Sequence, residues 1–380
     1  MADPSPSQPP PTPRILTTPV SSTSHPLPAE KWHSHITFDL IMTVLNRSIF
    51  HPFIAWIIVL CLRAQATPYR HPAFLVAAGY ATLLTVIDIA FMVSDRIAFG
   101  ASREVDLSEE VIVITGGASG LGRLIAQIYG LRGVSVAVLD IAAEEDVKGW
   151  EEVSGVEYYQ CNVGVREEVE RVRERILKDL GAPTVLVNCA ATRINAQPIL
   201  SISAEAFQKT IQTNLIAIFH TCQVFVPHML SAENGGTIVN VSSVLGHLCP
   251  AGLADYSASK GGLSAFHRTL ETELRVSGNG GKVKTVLVEP GQIATPLFDF
   301  IKTPSAFFAP VLEPNRVAQD IVSIIDRGDS GIIRLPTFAK LAIFFAVLPV
   351  GVQRIGRYLS GIDRAVPQEP TQRKLGVKKE

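Results

Sequence analysis

What the sequence lacks narrows it before any motif is considered. Its five cysteines (Cys61, Cys161, Cys189, Cys222 and Cys249) show no paired spacing, which supports neither a disulfide framework nor a zinc site. No metal is expected, and the folded part is expected in a reducing compartment. Neither sign of charge is in excess. Thirty-four Lys and Arg stand against 35 Asp and Glu, so nothing calls for nucleic acid as a partner. No signal peptide is read, because no apolar segment follows a short charged start. Residues 1–30 are instead dense in Pro, Ser and Thr. Such a stretch cannot bury enough surface to offset its ordering entropy, and residues 1–35 are expected to form a disordered tail.

What is present is unusually apolar for a chain of 380 residues, which has room for a full core and apolar sequence besides. "SIFHPFIAWIIVLCL" covers 48–62 and is interrupted by His51 and Pro52, and "AFLVAAGYATLLTVIDIAFMV" covers 73–93 with Asp88 near its end. The second is 21 residues long, about the thickness of a bilayer's hydrocarbon core at roughly 1.5 Å per residue. Residues 36–100 are read as a membrane anchor, either two spans or a hairpin dipping into one leaflet, with a pair of buried core helices as the plainer alternative. Arg47, Arg63, Arg70 and Arg96 flank both segments, so charge does not choose an orientation.

From Val111 the texture changes. "VIVIT" (111–115), "VSVAVLD" (134–140), "VEYYQCNV" (156–163), "TVLVNCA" (184–190), "GTIVNVSS" (236–243) and "KVKTVLVEP" (282–290) read as strands, with amphipathic helices such as 166–181 between them. That alternation predicts an α/β fold, a doubly wound parallel sheet with right-handed crossovers, over residues 104–335. Beyond the helix read at 316–328, residues 336–380 hold an apolar run within 338–359, flanked by Lys340, Arg354 and Arg357, and then a basic tail. Some 12 apolar residues are too few to span a bilayer. An interfacial helix and a helix packed on a partner subunit or a lid both fit.

Two clusters carry chemistry. "TGGASGLG" (115–122) sets Gly116, Gly120 and Gly122 between a strand and a helix, where backbone N–H groups and the helix N-terminus favour a pyrophosphate. The second strand ends in Asp140, placed to accept hydrogen bonds from a ribose and to repel a 2′-phosphate. No Lys or Arg directly follows it, so NAD is expected over NADP. On the helix "YSASK" (256–260), Tyr256 and Lys260 stand four apart and share a face. A nearby ammonium favours the phenolate, so Lys260 is expected to lower the pKa of Tyr256 and fit it to exchange a proton with an alcohol or carbonyl. Ser243, thirteen residues earlier at the end of a strand, is placed to hydrogen-bond the reacting oxygen.

Together these motifs resemble the short-chain dehydrogenase/reductase family, over about 104–335. The resemblance implies a nicotinamide cofactor and a single Rossmann-type domain. It identifies Asn214 in "TNL" as a fourth catalytic residue beside Ser243, Tyr256 and Lys260. It extends the cofactor contacts to Ser119, Leu121, Asn162, Val163, Asn188, Ala190, Pro290, Gly291, Ile293 and Thr295, the last two against the carboxamide. Two departures stand out: the family's N-N-A-G is here Asn188-Cys189-Ala190-Ala191, and its acidic residue after the third strand is Asn162. Cys189 is read as a packed thiol. The stretch 242–274, with Gly246-His247, is similar to membrane-anchored retinol and 17β-hydroxysteroid dehydrogenases of the endoplasmic reticulum and lipid droplets. His247 is left as either a substrate-mouth or a structural residue. The likeness implies a homodimer with its catalytic domain facing the cytosol. Phe298, Phe300, Phe307 and Phe308 lie in the lid region 296–314, which suggests an apolar substrate: a retinoid, a steroid or a long-chain alcohol. A ketoacyl-thioester reductase and a non-catalytic NAD-binding membrane protein are the other readings.

Overall fold

The computed structural model describes residues 36–147, 155–298, 301 and 303–366. The expected disordered tail, the basic C-terminal end and Phe300 lie outside the described residues. The chain opens with three helices: α1 (Phe38–Arg47), α2 (Pro52–Ala64) and α3 (Pro72–Phe99). Then follow β1 (Val111–Thr115), α4 (Gly120–Leu131), β2 (Ser135–Asp140), β3 (Val156–Gln160), α5 (Arg166–Asp179), β4 (Val185–Asn188), α6 (Ala204–Ile211) and α7 (Ala217–Ser231). The remainder is β5 (Gly236–Val241), α8 (Leu245–Leu248), α9 (Ala254–Val276), β6 (Val283–Pro290), α10 (Pro314–Asp326), β7 (Gly331–Leu335), α11 (Thr337–Ala346) and α12 (Val350–Ser360).

The strands form one parallel sheet in the order β3-β2-β1-β4-β5-β6-β7. Alternate residues of β1 show why both faces are covered. Ile112 and Ile114 enter an apolar layer with Ile125 and Tyr129 of α4 and Ile321 of α10. Val111 and Val113 enter the opposite layer with Ile176 of α5, Phe225 of α7 and Leu263 of α9. Ile321 and Phe225 are fully buried on opposite faces, and truncating either to Ala costs about 2–5 kcal/mol. The strand order reverses between β1 and β4, whose ends Thr115 and Asn188 are paired. A crevice opens there, as expected of a doubly wound sheet.

Six strands are legible in the sequence, and the structure adds a seventh. β7 pairs with β6 from Val286↔Gly331 to Pro290↔Leu335, so the sheet continues past α10 beyond the sixth strand read from the sequence. As an edge strand β7 is mostly half-buried and carries Arg334, which weakens its apolar signal. The apolar run at 338–359 falls as two helices, α11 and α12, the second opening directly after Pro349.

α2 and α3 fold back on each other as a helical hairpin around Ala55, Val59 and Ala81. Trp56 Nε1 donates to Thr85 Oγ1 at 3.0 Å, and Tyr80 Oη donates to the Ile49 carbonyl at 2.9 Å. α3 is long and apolar enough to cross a membrane, and α1 with α2, bent by 47°, pass the same test as a pair. Only 6% of the most apolar window of α3 is buried, unlike a core helix. α1 is joined to the sheet end of the molecule through buried Asp39. Its carboxylate accepts from the Thr337 N–H at 2.8 Å, from Thr337 Oγ1 at 2.6 Å and from Arg316 at 2.8 Å. The Phe38 N–H also donates to the Phe307 carbonyl at 2.8 Å.

Candidate active site

The crevice measures about 1580 Å³ and runs along the C-terminal ends of β1 to β6. At one end β1 gives way to the glycine turn. Gly116 has φ +67°, and a Cβ there would stand 2.7 Å from the Cα of Ala190. A Cβ on Gly122 would stand 2.6 Å from the Gly116 carbonyl. Glycine therefore lets the turn lie against both β4's exit and the first turn of α4, whose free N–H groups face the crevice. The Asp140 carboxylate accepts from the Ala118 N–H at 3.0 Å and from the Ala142 N–H at 3.2 Å, bracing this turn at the mouth of β2. A narrow, donor-rich cradle with an acid at its outer end fits a dinucleotide.

Gly116, Ser119, Gly120, Leu121, Gly122, Asp140, Asn162, Val163, Ala190, Pro290, Ile293 and Thr295 all line this one crevice, with Ser243, Tyr256 and Lys260. Asn188 and Gly291 do not. The Asn188 amide donates to Asn240 Oδ1 and accepts from Thr221 Oγ1, both at 2.9 Å, so it braces the sheet from behind. The Gly291 N–H donates to the Leu335 carbonyl at 2.7 Å, which ties the Pro-Gly turn to β7. Asn162 is exposed, and its Oδ1 accepts from the Gly164 N–H of its own loop at 3.0 Å. Thr192, Arg193 and Val241 also line the crevice, and no motif singled them out.

Ser243 lies just past β5, and its Oγ accepts from the Leu245 N–H at 3.2 Å. Tyr256 and Lys260 stand one turn apart on α9, both buried. Burial pushes the Tyr256 phenol up, with the Ser243 hydroxyl opposing. Burial brings the Lys260 ammonium down to about 8. The Lys260 Nζ donates to the Val241 carbonyl at 2.8 Å and stands 5.9 Å from the Tyr256 ring centre. Desolvation, not the Lys260 charge, therefore governs the phenol in this form. Asn214 is buried in a π-helical turn, Gln212–Ile216, a distortion common at functional sites. Its Oδ1 accepts from the Thr192 N–H at 2.9 Å and its Nδ2 donates to Ser259 Oγ at 3.1 Å, joining the crevice wall to the catalytic helix. Burial pushes the Cys189 thiol up to about 12, which suits a packed residue and not a nucleophile.

Beneath this surface lies a polar cluster that sequence reasoning missed. Buried Glu289 accepts from His247 Nε2 at 2.7 Å, from Ser264 Oγ at 2.8 Å and from Arg334 Nε at 2.8 Å. It thus clamps α8, α9 and β7 to β6 around Ser243, and His247 belongs to this clamp. Burial alone would raise the Glu289 carboxyl, but hydrogen bonds from His247 and Ser264 and the charges of His247 and Arg334 bring it to about 2. The only sequence signal was the residue preceding Pro290.

The short chain dehydrogenase family model matches residues 110–305. An uncharacterized oxidoreductase of Saccharomyces cerevisiae, YDL114W, is 31% identical over 265 residues, 68% of this chain and 84% of that protein. Human retinol dehydrogenase 10 is 32% identical over 279 residues, covering 65% of this chain and 81% of its own. Human short-chain dehydrogenase/reductase 3 is 32% identical over 249 residues, 64% of this chain and 81% of its own.

Proposed function

The chain belongs to the short-chain dehydrogenases, and from that footing we propose that it is a membrane-associated oxidoreductase which uses NAD to oxidise a lipophilic alcohol. The observation that carries this reading is the meeting of Ser243, Tyr256 and Lys260 in the crevice whose other end is the glycine turn. A bound nicotinamide would supply hydride acceptance or donation. It would be held by Gly116, Ser119, Gly120 and Gly122 at the pyrophosphate, Asp140 at the ribose, and Ile293 and Thr295 near the carboxamide. Tyr256 would take the hydroxyl proton of the alcohol, Ser243 would hold the reacting oxygen, and Lys260 would favour the phenolate once turned from the Val241 carbonyl. Asn214 would position the wall behind them. Membrane association is supported by the length and exposure of α3, and the expected site is the cytosolic face of the endoplasmic reticulum or a lipid droplet.

Among lipophilic alcohols, retinol is the first to test, because human retinol dehydrogenase 10 is among the relatives. The test is NADH formation by the full chain in liposomes offered retinol, a hydroxysteroid and a long-chain alcohol, with NAD and NADP run separately. Turnover with NAD that vanishes in Tyr256→Phe is expected. Turnover with NADP alone would overturn the role given to Asp140, and cofactor binding without any turnover would overturn the enzymatic reading.

A further inference from the structure

A second cavity, about 930 Å³, lies on the far side of Phe298 from the crevice. Its walls are chiefly apolar and include Val244 and Leu245, the residues that follow Ser243, with Leu253, Phe338, Ala342 and Phe345. Its volume is that of a small-molecule site, not of a packing defect. Phe298 lines both spaces, and its ring meets that of Tyr256 edge-on at 6.2 Å. Phe298 therefore stands between the proton-transfer group and an apolar chamber, with Leu253 and Val366 of the same apolar cluster also in the chamber wall.

The outer wall of that chamber is made by α11 and α12, and it is open. Leu341, Phe344, Leu348 and Leu359 line the cavity and are also 54, 66, 41 and 77% exposed, so they form a rim. Around the rim Val347, Val350, Val352, Ile355 and Tyr358 extend the apolar surface outward, with Lys340 and Arg354 exposed beside it. An apolar face bordered by cations suits a phospholipid surface. The face is also tied to the segment that leads into the helical hairpin. Thr337, the first residue of α11, is bonded to Asp39 of α1, and α1 leads directly into α2.

We propose that this cavity is a lipid-accessible substrate chamber. α11 and α12 seat in the bilayer surface, and a lipophilic alcohol passes between them from the lipid phase and past Phe298 to Tyr256. Its hydrocarbon thus never enters water, where each exposed methylene is unfavourable. This rests on the reading that the crevice oxidises a lipophilic alcohol, and it adds the route and the chamber.

The test uses full-length protein in vesicles of phosphatidylcholine with a minor fraction of phosphatidylserine. A diazirine-bearing hexadecanol is photolysed in place and its adducts are mapped by mass spectrometry. Adducts on residues 337–348 and on Phe298 and its neighbours are expected, and label confined to α2 and α3 would overturn the chamber whether or not turnover occurs. Chamber label without turnover of any alcohol would uphold the chamber while sinking the proposed chemistry. Val347→Glu with Ile355→Glu alters the seating face and not the cavity wall. In vesicles it should lower both chamber labelling and hexadecanol oxidation by roughly tenfold or more, with NAD binding unchanged. Wild-type labelling and turnover in that variant would overturn entry through this face. So would a Tyr358→Cys variant that cross-links efficiently to a second copy in vesicles, which would give the face to a dimer.

Discussion

Removing the Glu289 carboxylate should cost more than any surface change near the site, and the size of the loss follows from its partners. In Glu289→Ala three donors lose their acceptor at once: His247 Nε2, Ser264 Oγ and Arg334 Nε. Breaking a buried ion pair from one side costs about 3–5 kcal/mol. The Arg334 side chain keeps 20% of its exposure and can recover some hydration, so the lower end, about 3 kcal/mol, is expected. At about 2–4 °C per kcal/mol for a domain of this size, the apparent Tm in detergent should fall by roughly 6–12 °C. Glu289→Gln keeps the volume and one acceptor oxygen and should lose about half as much. A second measurement reaches the same energy by another route. The carboxyl sits at about 2 against an ordinary 4.5, so its stabilisation is complete above pH 4.5 and is lost as the pH falls from 4.5 toward 2. At 1.36 kcal/mol per unit that loss is about 3 kcal/mol, and Glu289→Gln should flatten this limb of the pH–stability curve. A Tm change under about 2 °C in Glu289→Ala, or an unaltered acid limb in Glu289→Gln, would refute the clamp.

Tyr256→Phe should lower kcat by about a hundredfold or more with NAD binding retained, measured by turnover and by cofactor titration. Asp140→Ser should erode the preference for NAD over NADP by roughly tenfold or more, read as a ratio of kcat/KM values, because the carboxylate no longer repels a 2′-phosphate. Lys260→Met should stabilise the cofactor-free protein while abolishing turnover. Burial holds Lys260 at about 8 against an ordinary 10.5, so the wild-type penalty is full below pH 8 and vanishes as the pH rises toward 10.5. A Tm gain at pH 7 that shrinks across that interval is the expected signature. Equal Tm values at pH 7 would show that the ammonium is solvated.

Local pattern made the sheet and the crevice legible. The runs in β1 and β2, the glycine turn and the Tyr256–Lys260 pair each specify their role within a dozen residues of chain. What escaped depends on separation. Asp39 looks like an ordinary first-turn acid of α1 until it is seen to meet Arg316 and Thr337, 277 and 298 residues away. β7 was hidden because an edge strand needs only a short, half-polar sequence. α3 runs to Phe99, beyond the apolar stretch that ends at Val93, because Ser94, Asp95 and Arg96 suit a helix end as well as a loop. The pairing of Lys260 with the Val241 carbonyl is likewise invisible from spacing, since four-residue separation says which face a side chain shares and not which acceptor it chooses.

The Asp39 junction also sets an order of events in synthesis. α1 emerges among the first described elements, yet Thr337 follows it by 298 residues. At about 5–20 residues per second the ribosome needs roughly 15–60 s to supply that partner. For most of that interval the acid lacks both partners, since Arg316 follows it by 277 residues. The junction is therefore completed only after all seven strands of the sheet have been made. A chain cut short before Thr337 would keep its hairpin and all seven strands, and Asp39 would keep Arg316 while losing both bonds from Thr337.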